Sequence, residues 1–171
     1  MRRAYPGGVT PPKPLRLIRP SEHRRVPWKN GGGMTSEILV EPGNGDRYRY
    51  RVSVADVASD GPFSRFEGYD RHIVLLEGAG MTLDAGAHGS IELHPFIPHA
   101  FSGDWDVCGR LKDGPVRDFN LIVDRSYATA SLAIMTSPQP IDEDHTVVSE
   151  NELRFFHAAS AHILVARIRP V

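Results

Sequence analysis

At 171 residues the chain has the size of one ordinary domain, long enough to bury a core without disulfide or metal staples. Its 20 basic and 21 acidic residues leave a net charge of −1, which offers no electrostatic footprint for DNA, RNA or an anionic membrane, so neither nucleic acid nor membrane is an expected partner. The single cysteine, Cys108, excludes an intramolecular disulfide framework and a thiolate zinc cluster, and it fits a reducing cytosol.

Residues 1–14 hold four prolines and two glycines in a basic, core-poor context, the composition of a flexible Pro-rich arm. The arginines near the start lack a following apolar stretch, and no run of 18 apolar residues occurs, so a cytoplasmic protein is expected. Residues 15–171 read as one domain. Strand patterns cover Leu15 to Ile18, Met34 to Val40, Tyr48 to Val57, His72 to Glu77, Gly80 to Leu83 and Ser90 to Leu93. They continue over Phe119 to Val123, Ser131 to Thr136, His145 to Val148 and His162 to Arg167. Turn material such as "EPGNGD", "EGAG", "DAGAHGS" and "LKDGP" separates them. Sixteen glycines and fourteen prolines interrupt any long helix, and "GPFSRFEGYD" holds one helical turn at most. The expected fold is all-β. About ten short strands suit a sandwich or barrel, and a small barrel can hold one small ligand.

"WKNGGG", at Trp28 to Gly33, invites comparison with a phosphate loop. A phosphate loop needs Lys-Ser/Thr after the glycines and then a helix. Here Lys29 comes before them and "MTSEILV" follows as a strand, and no βαβ unit surrounds them for a dinucleotide fingerprint. Nucleotide binding is therefore not expected. The glycines instead permit positive φ and close backbone approach.

The period of two divides three strands in the same way. Thr35, Glu37 and Leu39 oppose Met34, Ser36, Ile38 and Val40. Arg49, Arg51, Ser53 and Ala55 oppose Tyr48, Tyr50, Val52 and Val54. Asp118, Asn120 and Ile122 oppose Phe119, Leu121 and Val123. Either the polar faces are the wet side of an antiparallel sheet, or they converge on a lined pocket; periodicity alone leaves both open.

Three blocks carry a resemblance: "WKNGGGMTSEI" at Trp28 to Ile38, "GPFSRFEGYDRHIVLLEGAGMTL" at Gly61 to Leu83, and "GPVRDFNLIVDR" at Gly114 to Arg125. In identity, order and spacing they resemble the signature blocks of the HutD/Ves family of cupin-like bacterial proteins. The resemblance implies a cytosolic cupin-like (RmlC-like) β-barrel, described in some members as a compact bicupin. It also implies a link to histidine utilisation, with binding of an anionic intermediate such as N-formylglutamate as a means of governing that pathway. A Ves branch is tied to environmental stress. No catalytic activity is firmly attached to the family, and no cofactor is implied. After "DFNL" the pattern would continue with Met and basic residues, whereas this chain has Ile122, Val123 and Asp124.

Cupin metal centres use a His-x-His pair, a Glu and a later His. His72, His88, His94 and His99 lack that pairing, so a native metal is not expected. Nor is there a Gly-x-Ser-x-Gly elbow, and Cys108 in "DVCGRL" reads as a packed strand residue. The expected partner is therefore a small anionic metabolite. Arg51 offers a planar fork for a carboxylate. Lys29 adds a second positive charge at the mouth, and Asn30 and Asn120 can both donate and accept. Thr35 and Ser53 share the polar faces. Glu37 and Asp118 are poor neighbours for an anion unless they orient Arg51 or Lys29, or act as acid and base in a metal-free enzyme on a small carboxylic acid. Arg71 in "YDRHIV" reads slightly more readily as a structural ion-pair partner of Asp70 or another carboxylate than as a ligand contact. Trp28 and Phe63 read as core aromatics. A homodimer is left open.

Overall fold

The computed structural model of the protein describes residues 14–29 and 31–171. The arm up to residue 13 and Asn30 lie outside the described residues. Fifteen strands follow in chain order. They are β1 Arg16–Ile18, β2 Arg24–Pro27, β3 Gly33–Pro42, β4 Tyr48–Val57, β5 Gly61–Pro62, β6 Tyr69–Glu77, β7 Met81–Asp84 and β8 Ser90–Leu93. Then come β9 His99–Ser102, β10 Cys108–Leu111, β11 Val116–Asp124, β12 Ala128–Thr136, β13 His145–Val148, β14 Glu152–His157 and β15 His162–Pro170. The only helical turns among the described residues are three of 3-10 type, and none is long and apolar enough to cross a membrane.

The all-β expectation holds, with five more strands than the pattern marked. Of these, β2 is exposed and ends on Pro27, β5 is two residues long, β9 follows the prolines of "PFIP", and β10 contains Gly109. Each lacks the β-branched alternation that announces a strand. The fifth, β14, carries the signal in another form. Leu153 and Phe155 are buried while Arg154 is exposed, an alternation without β-branched residues.

The strands hydrogen-bond as three sheets. A central six-stranded sheet runs β2-β3-β4-β11-β6-β9, a small sheet runs β5-β10-β7-β8, and a C-terminal sheet runs β1-β13-β14-β15-β12. Both faces of the central sheet are covered, which explains why its strands are apolar on one side and mixed on the other. Val52 and Val54 of β4, Val74 and Leu76 of β6, and Phe119 and Leu121 of β11 turn to the C-terminal sheet. There they meet Leu153, Phe155, Leu164 and Ala166. Residues of the opposite parity, Ala55, Val57, Ile73, Leu75 and Val116, form a second core with Met81, Leu83 and Leu93 of the small sheet. Two walls of strands enclose this second core, and they hydrogen-bond as separate sheets, not as the one closed barrel expected. The chain after β11 extends neither wall. Strands β12 to β15 join β1 in a sheet on the other face of the central one.

Candidate functional site

The three polar faces seen in the sequence converge. β3, β4 and β11 are neighbours through antiparallel ladders that set Glu37 opposite Ser53 and Ser53 opposite Asn120. Side chains of matching parity therefore stand together on the face that looks toward the small sheet. There they line a cavity of about 520 Å³, a size that suits a small metabolite. Lys29, Thr35, Arg51, Ser53 and Asn120 line it. Glu37 and Asp118 stand behind those residues. Leu39 leaves the series because a bulge between Glu37 and Leu39 shifts the register, and it packs against the first core.

Arg71 does not pair with Asp70, and the carboxylate it faces is Asp118, one amide away. Asp70 is taken by Arg125, whose Nε donates to Asp70 Oδ1 at 2.9 Å. Arg71 points the other way, as its parity with Ile73 and Leu75 requires, and it is 5% exposed at the cavity wall. Its Nη2 donates to Asn120 Oδ1 at 2.8 Å, and its Cζ lies 5.1, 5.4 and 5.0 Å from the ring centroids of Phe63, Phe66 and Phe101. The aromatic faces compensate part of the lost hydration of the cation. Its Nε is buried without a hydrogen-bond partner among the described residues. Burial pulls the guanidinium down to about 10, opposed by Asp118, and the group remains cationic at neutral pH.

Asp118 is completely buried and accepts a hydrogen bond from Asn120 Nδ2, while its Oδ2 has no hydrogen-bond partner among the described residues. Burial pushes this carboxyl up to about 7, against the pull of Arg71. Arg51 has a different setting. Its Nε donates to Glu37 Oε2 at 2.9 Å, and Arg24 Nε lies 3.2 Å from Glu37 Oε1. Glu37 thus holds Arg51 by one edge and leaves its terminal nitrogens unpaired among the described residues. With Lys29 exposed at the rim, the walls carry more positive than negative charge.

Trp28 and Phe63 pack against the second core, as expected of core aromatics, yet both also line the cavity. Trp28 Nε1 donates to Thr35 Oγ1 at 2.8 Å, which makes Thr35 a brace for the indole. The glycine run makes this possible. The turn closes with Trp28 N donating to Gly33 O at 2.9 Å, and Gly31 takes φ +72°. A Cβ on Gly33 would lie 2.5 Å from the Asp56 carbonyl oxygen and 3.0 Å from the Trp28 ring. Gly33→Ala is expected to cost about 1–3 kcal/mol and to displace the indole. Thermal unfolding and the near-ultraviolet circular dichroism of tryptophan check this; a variant unchanged in both contradicts the packing described.

Sequence reasoning undervalued Arg71 and passed over Phe66 and Ile122 as wall residues. For Arg71 a signal existed: it is a charged residue in the interior of β6 on the parity that also carries Tyr69, Ile73 and Leu75, all buried. Asn30 lies outside the described residues. Among the described residues no group of three or more His, Cys, Asp or Glu side chains is placed to hold a metal ion.

The HutD family model matches residues 20–168. A protein of Pseudomonas putida named for its place in the hutC 3′ region is 40% identical over 153 residues, covering 89% of this chain and 77% of that protein. Protein Ves of Escherichia fergusonii is 35% identical over 115 residues, 65% of this chain and 60% of Ves. Among solved structures, a conserved protein of Pseudomonas aeruginosa PAO1 superposes with a TM-score of 0.78 at 30% identity, covering 92% of this chain and all of that one. HutD from Pseudomonas fluorescens SBW25 superposes at 0.75, also at 30% identity and with the same coverage. The chain belongs to the HutD family.

Proposed function

We propose that the chain binds a small anionic metabolite in the cavity and acts in the cytosol as a regulator of histidine utilisation, with N-formylglutamate as the intermediate it recognises. One observation carries the reading: two arginines of unequal depth share the cavity, Arg71 buried in the wall and Arg51 held by Glu37 with its terminal nitrogens unpaired. A dicarboxylate can meet both, and Asn120 and Ser53 between them suit a formyl or amide group. The apolar stretch of such a molecule suits the walls of Trp28, Phe63 and Ile122. The Pseudomonas putida relative, named for the hutC 3′ region, supports the pathway.

Calorimetric titration of the chain with N-formylglutamate, glutamate and urocanate tests the proposal. Saturable heat with N-formylglutamate is expected, and heat with none of the three overturns the reading.

A second reading is a metal-free enzyme acting on a small carboxylic acid. It is favoured by Asp118, whose carboxyl at about 7 suits proton transfer. The binder reading ranks first because Asp118 is wholly buried behind Asn120. Turnover abolished by Asp118→Asn or Glu37→Gln would reverse that order.

A further inference from the structure

Asp118 sits in the β11 ladder with Ala55 of β4 on one side and Leu75 of β6 on the other. Both of these ladder neighbours are apolar. Through Asn120 it is linked to Arg71, because the amide donates to the carboxylate and its oxygen accepts from Arg71 Nη2 at 2.8 Å. The amide orientation follows from chemistry: a guanidinium can only donate, and an ionised carboxylate can only accept. One amide therefore separates an unexposed carboxyl from a cation in the cavity wall.

We propose that anion binding in the cavity is coupled to proton uptake at Asp118, so that the site takes a carboxylate together with a proton and releases it as the pH rises. The inference rests on the binder reading above. When Asp118 is ionised it balances the charge of Arg71 from behind. When it is protonated, that charge is unmatched, and a ligand carboxylate supplies the counter-charge from the cavity side. The two anions compete for one cation in a poorly solvated place, where an unscreened negative pair is costly. The step is a protonation alone: a proton from solvent forms the O–H bond on Asp118, and no other bond changes. By linkage the coupling is reciprocal, so a bound anion also makes Asp118 harder to ionise.

The groups around Asp118 set the working range. Burial raises its pKa most, to about 7; Arg71 of β6 opposes this, Asp56 of β4 adds to it, and Asn120 opposes it. Arg51 of β4 acts on Arg71 and not directly on Asp118. Tyr48 of β4 is pushed up to about 12 by burial and stays neutral throughout. His72 is held below its ordinary value by burial, so it does not titrate above neutrality.

The test is calorimetric titration of the full chain with N-formylglutamate and with glutarate between pH 6 and 8.5. The only ionisable groups of both probes are carboxyls, which are predominantly ionised throughout that range. Affinity is expected to fall about tenfold from pH 6 to pH 8.5, a coupling of the usual allosteric size. Near pH 7.5 the binding heat should vary with the ionisation enthalpy of the buffer, reporting proton uptake. Asp118→Asn should bind with a pH-independent Kd and without the buffer effect. A flat wild-type profile with no proton uptake overturns the coupling and leaves the binder reading standing, and so does a slope retained in Asp118→Asn. The buffer experiment needs only the wild-type chain, so absence of proton uptake there overturns the coupling even where the variant does not fold. Absence of binding by both probes at every pH overturns the binder reading and the coupling together.

Discussion

Arg71→Met is expected to weaken the binding of N-formylglutamate by about a hundredfold or more, the usual cost of removing a buried charged anchor from its partner. Methionine keeps the apolar stem among Phe63, Phe66 and Phe101 but removes the one cation that is buried in the cavity wall among the described residues. Arg71→Lys should recover only part of the loss. An ammonium is a compact, strongly hydrated point charge and cannot present a planar fork to Asn120 and a carboxylate together. Arg51→Met should cost less, because Arg51 is nearer to solvent, with its side chain 20% exposed. Equal losses at the two positions, or none at Arg71, contradict the proposed division of labour.

In Arg71→Met the stability profile should also change with pH. Asp118 has a folded pKa raised above its unfolded value of 3.8, so the native state holds a proton that the unfolded chain has released. Stability from this group is complete below about pH 4, declines as pH rises toward 7, and reaches its lowest level above 7. Removing Arg71, which favours the ionised form, pushes the folded pKa higher and extends that decline to higher pH. Denaturant unfolding of the variant at pH 6 and pH 8.5 checks this. The difference between the two pH values should exceed that of the wild type.

The second large effect lies in the core. Phe119→Ala is expected to lose about 3–5 kcal/mol of folding stability. Phe119 is fully buried where the central and C-terminal sheets meet, and its ring centroid lies 5.4 Å from that of Phe155. Two sheets face each other there, so neither can collapse into the space without breaking ladders on its own strands. Met135→Ala, at a position 54% exposed on β12, should stay within about 0.5 kcal/mol. Urea unfolding of both variants measures the contrast. A Phe119→Ala loss below about 1 kcal/mol contradicts the packing of the two layers.

The architecture was legible wherever period-two alternation was backed by β-branched or aromatic residues. Tyr48 to Val57, Ser90 to Leu93 and His145 to Val148 match their strands end to end. The exposed, short, glycine-bearing or proline-flanked strands were not legible, because ladder bonding to a neighbour makes them strands and their own side chains do not. The convergence of Thr35, Ser53 and Asn120 was half legible. Parity assigned each to a polar face, but only the pairing of β3 with β4 and β4 with β11 makes those faces one surface. The pairing of Arg71 with Asp70 failed because adjacency suggests a pair, whereas neighbours along a strand point to opposite faces. Glu37 is the converse case. Its acidic charge beside the proposed anion site argued for orienting Arg51 or Lys29, and Glu37 Oε2 accepts from Arg51 Nε at 2.9 Å. The C-terminal sheet carried no motif, and its contribution is to cover the outer face of the strands that bear the site.

The central claim is that a carboxylate ligand enters the cavity and engages the buried guanidinium of Arg71. Side-chain nitrogen NMR of arginine-labelled protein tests it directly, with the guanidinium resonances of Arg51 and Arg71 assigned by the substitutions above. On titration with N-formylglutamate both sets should move along one saturation curve, while those of Arg47 and Arg125, already bonded to Asp124 and to Asp70 and Asp104, stay in place. Saturation that moves other arginines and leaves the Arg71 resonance unchanged would contradict it.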